Sequence, residues 1–383
     1  MQLRHRARLL GLLLSGAVTL AACATVGEPP SSVPAPSPAP TPSRVPAVAT
    51  VPRTAKASAT PMTTRVMSFN VRHANITAAG ARHPDPVAFQ WTTSRGPAAV
   101  RYVKRADPDI IGFQEVEHRM KAMDGRSIPG DMITTLVDGL PAYTFTKVPQ
   151  RNNFLPIAFK TDQFVLRGSG RVQIQYRADP DSDSNRFATW VILQRRSGNQ
   201  RLLVANVWAN DGATRAMALG RAQGWQRLTA ALAEISGGYA IPTILVGDFN
   251  SHAAARTYPY NAHLTTLEAD GWMDASRAPY DLDALAGVSS YNSWGGRIDG
   301  VRYPNSVRIG DRIDYIWTNG GAIARTWQVF LPPFQYREVE GRPVPFVEDT
   351  IASDHWPVLA DIALDGSRTD RHLPLGVQGP LPR

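Results

Sequence analysis

The chain has 383 residues, 43% apolar and 19% charged, with a formal net charge of +9. Its 9 Trp, 11 Tyr and 12 Phe give enough apolar surface for a sizeable core, which excludes a wholly disordered chain. A single cysteine, Cys23, excludes a disulfide framework and thiolate-based zinc or iron–sulfur sites, and no apolar run reaches the roughly 20 residues of a membrane span.

Residues 1–23, MQLRHRARLLGLLLSGAVTLAAC, have a basic start, an apolar stretch from Leu9 to about Val18 and a small-residue end, the pattern of a secretory signal. Leu20-Ala21-Ala22-Cys23 resembles a bacterial lipobox, in which the cysteine is acylated and becomes the new N-terminus. The alternative is an ordinary cleaved signal with an incidental cysteine. Lipid on Cys23 would hold the protein outside the cytoplasm on a membrane surface, the only membrane contact expected. Without Arg4, Arg6 and Arg8 the formal charge is +6, mildly basic. That suits a polyanionic substrate without requiring one.

Residues 24–63 are rich in Pro, Ala, Ser and Thr, which predicts an extended linker. Residues 64–364 are the expected folded domain, and 365–383 the expected disordered tail. No internal repeat is present, and a monomer is expected.

Within the domain the strand candidates are RVMSFNV, PDIIGFQEV, LPIAFK, ATWVILQ, QRLLVANVW, PTILVGDFN, DRIDYIWT and WPVLADIAL. Their Val, Ile, Phe and Trp content over short runs fits buried strands. Helices are predicted from about Thr214 to Ile235 and from about Gly96 to Arg105. Strands mixed with a few long helices over some 300 residues imply a layered α/β or α+β domain.

Polar groups recur where these runs end. Asn70 ends MSFN, Glu115 ends IIGFQE, Asp248 and Asn250 end ILVGDFN, Asp314 lies in DRIDYIW, and Asp354-His355 open DHWPVLADI. Carboxylate and amide oxygens without thiolate suit a hard cation such as Mg²⁺, Mn²⁺ or Ca²⁺. An imidazole among carboxylates suits acid–base chemistry, and the combination favours attack of water on a phosphoester. Neither a Gly-x-Ser-x-Gly elbow nor a Gly-x-x-x-x-Gly-Lys loop is present. Taken singly, each group has a structural reading: Asn70 as a turn residue, Glu115 as a solvated strand end, Asp248-Phe249-Asn250 as an Asx turn, Asp354-His355 as a cap, and Asp314 as a partner of Arg312. Their joint order is what argues against coincidence.

MSFNVR, IIGFQEV, VGDFN, DRIDYIW and SDHWPV, in this order, resemble the endonuclease/exonuclease/phosphatase superfamily, over about Arg65 to Leu364. The resemblance implies a four-layer α/β sandwich, two packed mixed β-sheets flanked by helices. It also implies roles. Glu115 would be the principal metal ligand with Asn70 beside it and Asp354 near the metal. Asp248 would orient or deprotonate the attacking water, Asn250 would hold the phosphate or that water, and His355 would bind the scissile phosphate, oriented by Asp314.

One departure stands out. Many members carry a second His on the strand before the long helix, where this chain reads Val204-Ala205-Asn206-Val207-Trp208-Ala209-Asn210. The His position falls on Val207 or Trp208, and indole can donate a hydrogen bond but accept no proton. Trp208 is either a phosphate donor or a plain core aromatic. Asn206 and Asn210 are candidate replacements as phosphate donors, and Asn153 in RNNFLPIAF is a candidate substrate contact. His252, Arg151 and Lys160 are read as inert or solvated.

The expected function is a Mg²⁺-dependent (or Mn²⁺- or Ca²⁺-dependent) phosphoester hydrolase, a nuclease-like phosphodiesterase first. Nucleic acid is preferred over lipid because the chain is basic and no membrane-binding hairpin stands out. A sphingomyelin or phospholipid phosphodiesterase is the enzyme alternative, and a catalytically impaired module that binds a phosphorylated ligand is the alternative outside enzymes.

Overall fold

The computed structural model describes residues 62–74, 90–117, 131–146, 153–176, 185–277, 281–282, 288–292, 294, 312–339 and 341–364. Cys23, the expected signal, residues 24–61 of the expected linker, Arg151 and the expected tail lie outside them; Met62 and Thr63, expected in the linker, instead open the first strand, paired to the last. In chain order the strands are β1 (Met62–Asn70), β2 (Ile110–Gln114), β3 (Val116–Glu117), β4 (Tyr143–Phe145), β5 (Asn153–Phe154), β6 (Ile157–Lys160), β7 (Phe164–Gln175), β8 (Arg186–Arg195), β9 (Arg201–Trp208), β10 (Thr243–Asp248), β11 (Met273–Asp274), β12 (Asp281–Leu282), β13 (Asp314–Asn319), β14 (Ala322–Val329), β15 (Phe334–Val339), β16 (Arg342–Val347) and β17 (Val358–Leu364). The helices are α1 (Gly96–Ala106), α2 (Met132–Gly139), α3 (Arg215–Ser236) and α4 (Ala262–Ala269).

Two sheets carry the fold. The first has the order β12-β14-β17-β1-β2-β6-β4 and the second β11-β13-β10-β9-β8-β7. Each contains a parallel pair whose connection includes a helix: β1 and β2 with α1, β9 and β10 with α3. Parallel neighbours need such a crossover, and it leaves both C-terminal strand ends at the same edge. Most other pairings are antiparallel.

Side-chain alternation explains the layering. On β10, Ile244 and Val246 belong to the core between the sheets, while Leu245 belongs to the core under α3 and α4. On β9, Leu202 and Val204 face the first sheet, and Leu203, Ala205 and Val207 face the helices. A strand buried on both faces reads as a continuous apolar run, which is why these strands were visible in the sequence. Thr214 caps α3 by accepting from the Met217 N–H at 3.2 Å, and Gly237 closes it with φ of 65°. Trp225, Leu228 and Leu232 form its buried stripe, and Trp225 stacks on Phe249 at 4.4 Å. In the opposite outer layer, Tyr102 of α1 stacks on Phe69 of β1 at 6.2 Å. The four-layer sandwich expected from the sequence is the observed architecture.

Gly112 and Gly247 matter for close approach. A Cβ on Gly112 would overlap the Val246 side chain of the facing sheet, and one on Gly247 would overlap the Val207 carbonyl oxygen. The two sheets therefore close tightly at Gly112, and β9 and β10 of the second sheet at Gly247, beneath the strand ends. There Asn206 accepts from Gln114 Nε2 at 2.7 Å and donates to the Phe113 carbonyl at 2.7 Å. Asn206 was expected to reach substrate; it is instead fully buried and stitches β9 to β2, its polar atoms spent inside the core.

The sequence reading missed β7, whose polar and glycine-containing run FVLRGSGRVQIQ is half exposed, and the short helices α2 and α4. No membrane-binding hairpin stood out in the sequence, and β15 and β16, which pair antiparallel over 334–347, were not among the strand candidates. Pro343 and Pro345 and the largely exposed β15 hid that signal.

Candidate active site

The C-terminal ends of both parallel pairs meet at one edge of the sandwich. β1 ends in Asn70, β2 is followed by Glu115, β10 ends in Asp248, and β13 begins with Asp314 paired to Asp248 in register. Asn70 Nδ2 joins the sheets, donating to Glu115 Oε1 and Asp248 Oδ2, each at 2.9 Å. Glu115 adopts φ of 58°, a left-handed conformation costing roughly 1–3 kcal/mol in a residue with a Cβ. That turn is where the strand stops and the carboxylate enters the site.

His355 sits opposite. Its Nδ1 is 2.9 Å from Asp314 Oδ2, and its Nε2 lies 3.9 Å from both Asp248 Oδ2 and Asp354 Oδ1. Asn250, at φ of 45°, donates from its backbone N–H to Asp248 Oδ1 at 2.9 Å and from Nδ2 to the Ala209 carbonyl at 2.9 Å. Asn70, Glu115, Asp248, Asn250, Asp314, Asp354 and His355 thus form one connected cluster. Arg312 is not the partner of Asp314; it pairs with Asp274 at 2.6 Å.

Burial sets the electrostatics. Burial and the Asp314 charge push the Asp248 carboxyl up to about 7, against the pull of His355. Burial alone would lower His355, but the charges of Asp314 and Asp248 overcome it and raise it well above the ordinary histidine value. Glu115 goes the other way: burial would raise it, yet the His73 hydrogen bond and the Arg72 charge hold it well below the usual range.

Several residues here carried no sequence signal beyond adjacency. Arg72 and His73 follow Asn70 by two and three residues, and both bind Glu115. Arg72 Nε also lies 3.6 Å from Asp354 Oδ2. Buried Arg95, just before α1, donates to the carbonyls of Val71, Arg72, His73 and Ala352, its guanidinium between Trp91 and Trp294. Ser290 Oγ accepts from the Ile313 and Asp314 N–H groups, and Tyr291 sets its ring edge against His355 at 5.2 Å. These come from a loop with no apolar periodicity, so pattern reading passes over them.

Of the remaining candidates, Trp208 pairs with Asp248 in the β9–β10 register and shares its face of the sheet, whereas Val207 faces α3. Asn210 is buried and accepts from Arg186 Nη2 at 3.3 Å. Asn153 lies on β5, paired with Glu117; its side chain is outside the described residues. Lys160 is paired with Asp107 and Asp109, and His252 is on an exposed loop.

The cluster fits a hard divalent cation. Carboxylates outnumber cations, with Glu115, Glu117, Asp248, Asp314 and Asp354 against Arg72, Arg95 and His355. Asp314 Oδ1 is buried without a hydrogen-bond partner. Asp248, Asp314 and His355 each bring a ligand atom within 4.8 Å of the others. Nδ1 of that histidine is already bound to Asp314, so Glu115, Asn70 and Asp354 are the better ligand set.

The sequence profile of the Endonuclease/Exonuclease/phosphatase family matches residues 67–355, well over half of the chain. A comparison with curated protein sequences finds no match. Among solved structures, an endonuclease/exonuclease/phosphatase family protein from Bacteroides thetaiotaomicron is 20% identical with a TM-score of 0.58, covering 80% of this chain and 99% of its own. A mannosyl-6-phosphatase from Bacteroides thetaiotaomicron VPI-5482 is 20% identical with a TM-score of 0.56, covering 79% and 100%. The human Nocturnin catalytic domain with bound sulfate is 16% identical with a TM-score of 0.50, covering 80% and 97%. At such identities the likeness is one of fold. Members of the family hydrolyse phosphoesters and generally use divalent metals, and on its profile match this chain belongs to the endonuclease/exonuclease/phosphatase family.

Proposed function

We propose that the chain hydrolyses phosphoesters, most fittingly nuclease-like phosphodiesters, with Asp248 as base and His355 as the phosphoryl-binding donor. The supporting observation is the buried row Asp314–His355–Asp248, with Nδ1 committed to Asp314 and Nε2 left facing Asp248 at 3.9 Å. Asp248, pushed up to about 7, is suited to taking a proton from water on Oδ2. Asn250 and Asn70 hold that carboxylate in place. His355 donates from Nε2–H to the developing phosphoryl charge, and Asp314 keeps its imidazole charged and oriented. Glu115, Asn70 and Asp354 would hold a cation such as Mg²⁺ or Mn²⁺, which supplies charge neutralisation at the phosphoryl oxygens.

A lipid phosphodiester is the second reading, favoured by the β15–β16 hairpin. Phe334 and Tyr336 there pair edge to face at 6.0 Å, with Tyr336 58% exposed. The testing panel is the purified domain with Mg²⁺ or Mn²⁺ on DNA, RNA, sphingomyelin, inositol phosphates and a sugar phosphate, the last because one fold neighbour is named a mannosyl-6-phosphatase. Cleavage of nucleic acid that stops with chelator supports the first reading. Turnover of sphingomyelin alone moves the assignment to lipid, and turnover of none rejects it. We further propose an extracytoplasmic protein tethered through Cys23; Cys23→Ser should move it from the membrane fraction to the soluble one or block its processing.

A further inference from the structure

Beside the catalytic row lies a cluster with a different character. Along the second sheet the order β13, β10, β9 sets Asp314, Asp248 and Trp208 side by side in register, and Arg186 opens the next strand, β8, one residue out of that line. Neighbouring strands are about 4.8 Å apart, so Trp208 is one spacing from Asp248, and Arg186 reaches the row through the Trp208 ring. The Arg186 guanidinium lies 4.0 Å from the Trp208 ring centroid, and its Nη2 donates to Asn210 Oδ1 at 3.3 Å.

Three donors in this cluster are buried without an acceptor: Arg186 Nε, Trp208 Nε1 and Asn210 Nδ2. Asn210 is 2% exposed, and the Arg186 side chain 11%. Among the described residues the carboxylate paired with Arg186 is Asp211, exposed and 4.0 Å away, too solvated to neutralise the guanidinium. Buried polar groups are ordinarily satisfied, and a set made only of donors, one cationic, is complementary to a group that only accepts. A water molecule offers two lone pairs but also two protons that would need acceptors here; a phosphoryl group offers acceptor oxygens and negative charge.

We propose that Arg186, Trp208 and Asn210 form a subsite for a second phosphate of the substrate, the one next to the scissile phosphate. Among the described residues no hydrogen bond joins these side chains to Asp248, Asp314 or His355, so the subsite adjoins the reacting centre without being part of it. Arg227 and Arg221 pin the flanking backbone, at the carbonyls of Ile174 and of Asn210 and Gly212, so the cluster is rigidly presented. This assignment rests on the phosphodiesterase reading.

The test compares dithymidine monophosphate with the same dinucleotide bearing one added phosphate on either terminal hydroxyl. One of the two phosphorylated forms should be preferred by about tenfold or more in kcat/KM, as expected for charge-assisted hydrogen bonds. Arg186→Met should erase that ratio. Asn210→Asp, which keeps the shape but turns the donor into an acceptor, should reverse or erase it and serves if Arg186→Met does not fold. An absent preference in the wild type, or one kept in a folded variant, overturns the subsite. If no dinucleotide is cleaved, the functional reading falls by itself. The subsite is then decided by calorimetry with inorganic phosphate: binding kept in His355→Ala but lost in Arg186→Met supports it, and any other pattern overturns it.

Discussion

The two parallel strand pairs are built alike and used differently. In the first sheet β1 and β2 deliver Asn70 and Glu115; in the second, β9 and β10 deliver Trp208 and Asp248. Each is locked by one buried arginine beside or on its crossover helix. Arg95 holds the carbonyls of Val71, Arg72 and His73 just after β1, and Arg221 holds those of Asn210 and Gly212 just after β9, with Ser251 Oγ after β10. The difference lies in the sign of the groups that gather there. Around the end of β2 they are carboxylates, with Glu115 held by Asn70, Arg72 and His73 and Asp354 close by on the far side of Arg72, a set that suits a cation. Around Trp208 the free groups are donors, a set shaped for an anion. One repeated backbone device thus supports two half-sites of opposite sign, and a phosphoester held with its cation needs both.

The largest effects should come from the groups that act on one phosphate. Asp248→Asn and His355→Ala should each lower turnover by about 10²–10⁴-fold. The double variant should be little worse than either single one, because the two act as a unit. Turnover surviving both substitutions breaks the assignment of the second half-site. In the first half-site, Glu115→Gln removes the charge while keeping the shape, and should weaken Mn²⁺ binding at least about 100-fold in a calorimetric titration. Unchanged Mn²⁺ affinity would move the cation to Asp248 and Asp314.

Next in size are the two arginine locks. Arg95→Met leaves four carbonyls without that donor, two buried and two partly so, and should cost about 3–4 kcal/mol in urea unfolding. Arg221→Met strips two carbonyls and a hydroxyl, and should cost about 2–3 kcal/mol. Beyond stability the pair should separate by function. Arg95→Met should weaken Mn²⁺ binding with little change in substrate KM relative to Arg221→Met, which should do the reverse. Equal loss of both in both variants would mean that the half-sites are not independent.

How much of this was legible follows from the physics of each element. Strands buried on both faces, such as IIGFQ and TILVGD, announce themselves as apolar runs, and the polar residue that ends such a run marks the site. Asn70, Glu115, Asp248 and His355 were therefore readable. Trp208 could be flagged but its face not read, since a shift of one residue exchanges the two faces of a strand; the Asp248–Trp208 register sets that face. Asn206 was misassigned for the same reason: sequence shows that an amide is present, not that Gln114 and Phe113 consume it. Arg186, Arg95 and Tyr291 were invisible because their importance comes from partners far away in the chain. Arginines in a basic sequence carry no mark of being buried.

The smallest effect probes the layer behind the second half-site. His263 of α4 is fully buried, with Nε2 2.9 Å from the Tyr315 hydroxyl, which donates to the Ser251 carbonyl beside Asn250. Burial, helped by the charges of Arg221 and Arg312, pushes the imidazole down to about 3. In the unfolded chain it titrates near 6.5, so below that pH the unfolded state gains a proton that the folded state refuses. The stability tied to a neutral His263 is complete above pH 6.5 and is lost steadily as pH falls toward 3. Each unit corresponds to about 1.4 kcal/mol, or about 2 kcal/mol between pH 6.5 and 5. Asp248 works with the opposite sign, since its raised carboxyl binds a proton in the folded state first and adds stability as pH falls below about 7. A raw stability profile would mix the two. The difference between wild type and His263→Gln, measured by urea unfolding at pH 7.5, 6 and 5, isolates the histidine because Asp248 is common to both. That difference should shift against the wild type by about 2 kcal/mol from the highest pH to the lowest. The first half-site has no fully buried neutral histidine among its described residues; its carboxyl raised by burial is Glu117, whose rise the Arg95 charge opposes, so Arg95→Met compared with wild type should show a shift of the same sign but smaller over the same window. A slope as large in the Arg95 pair, or none in the His263 pair, would show that the two halves do not differ in the way their packing implies.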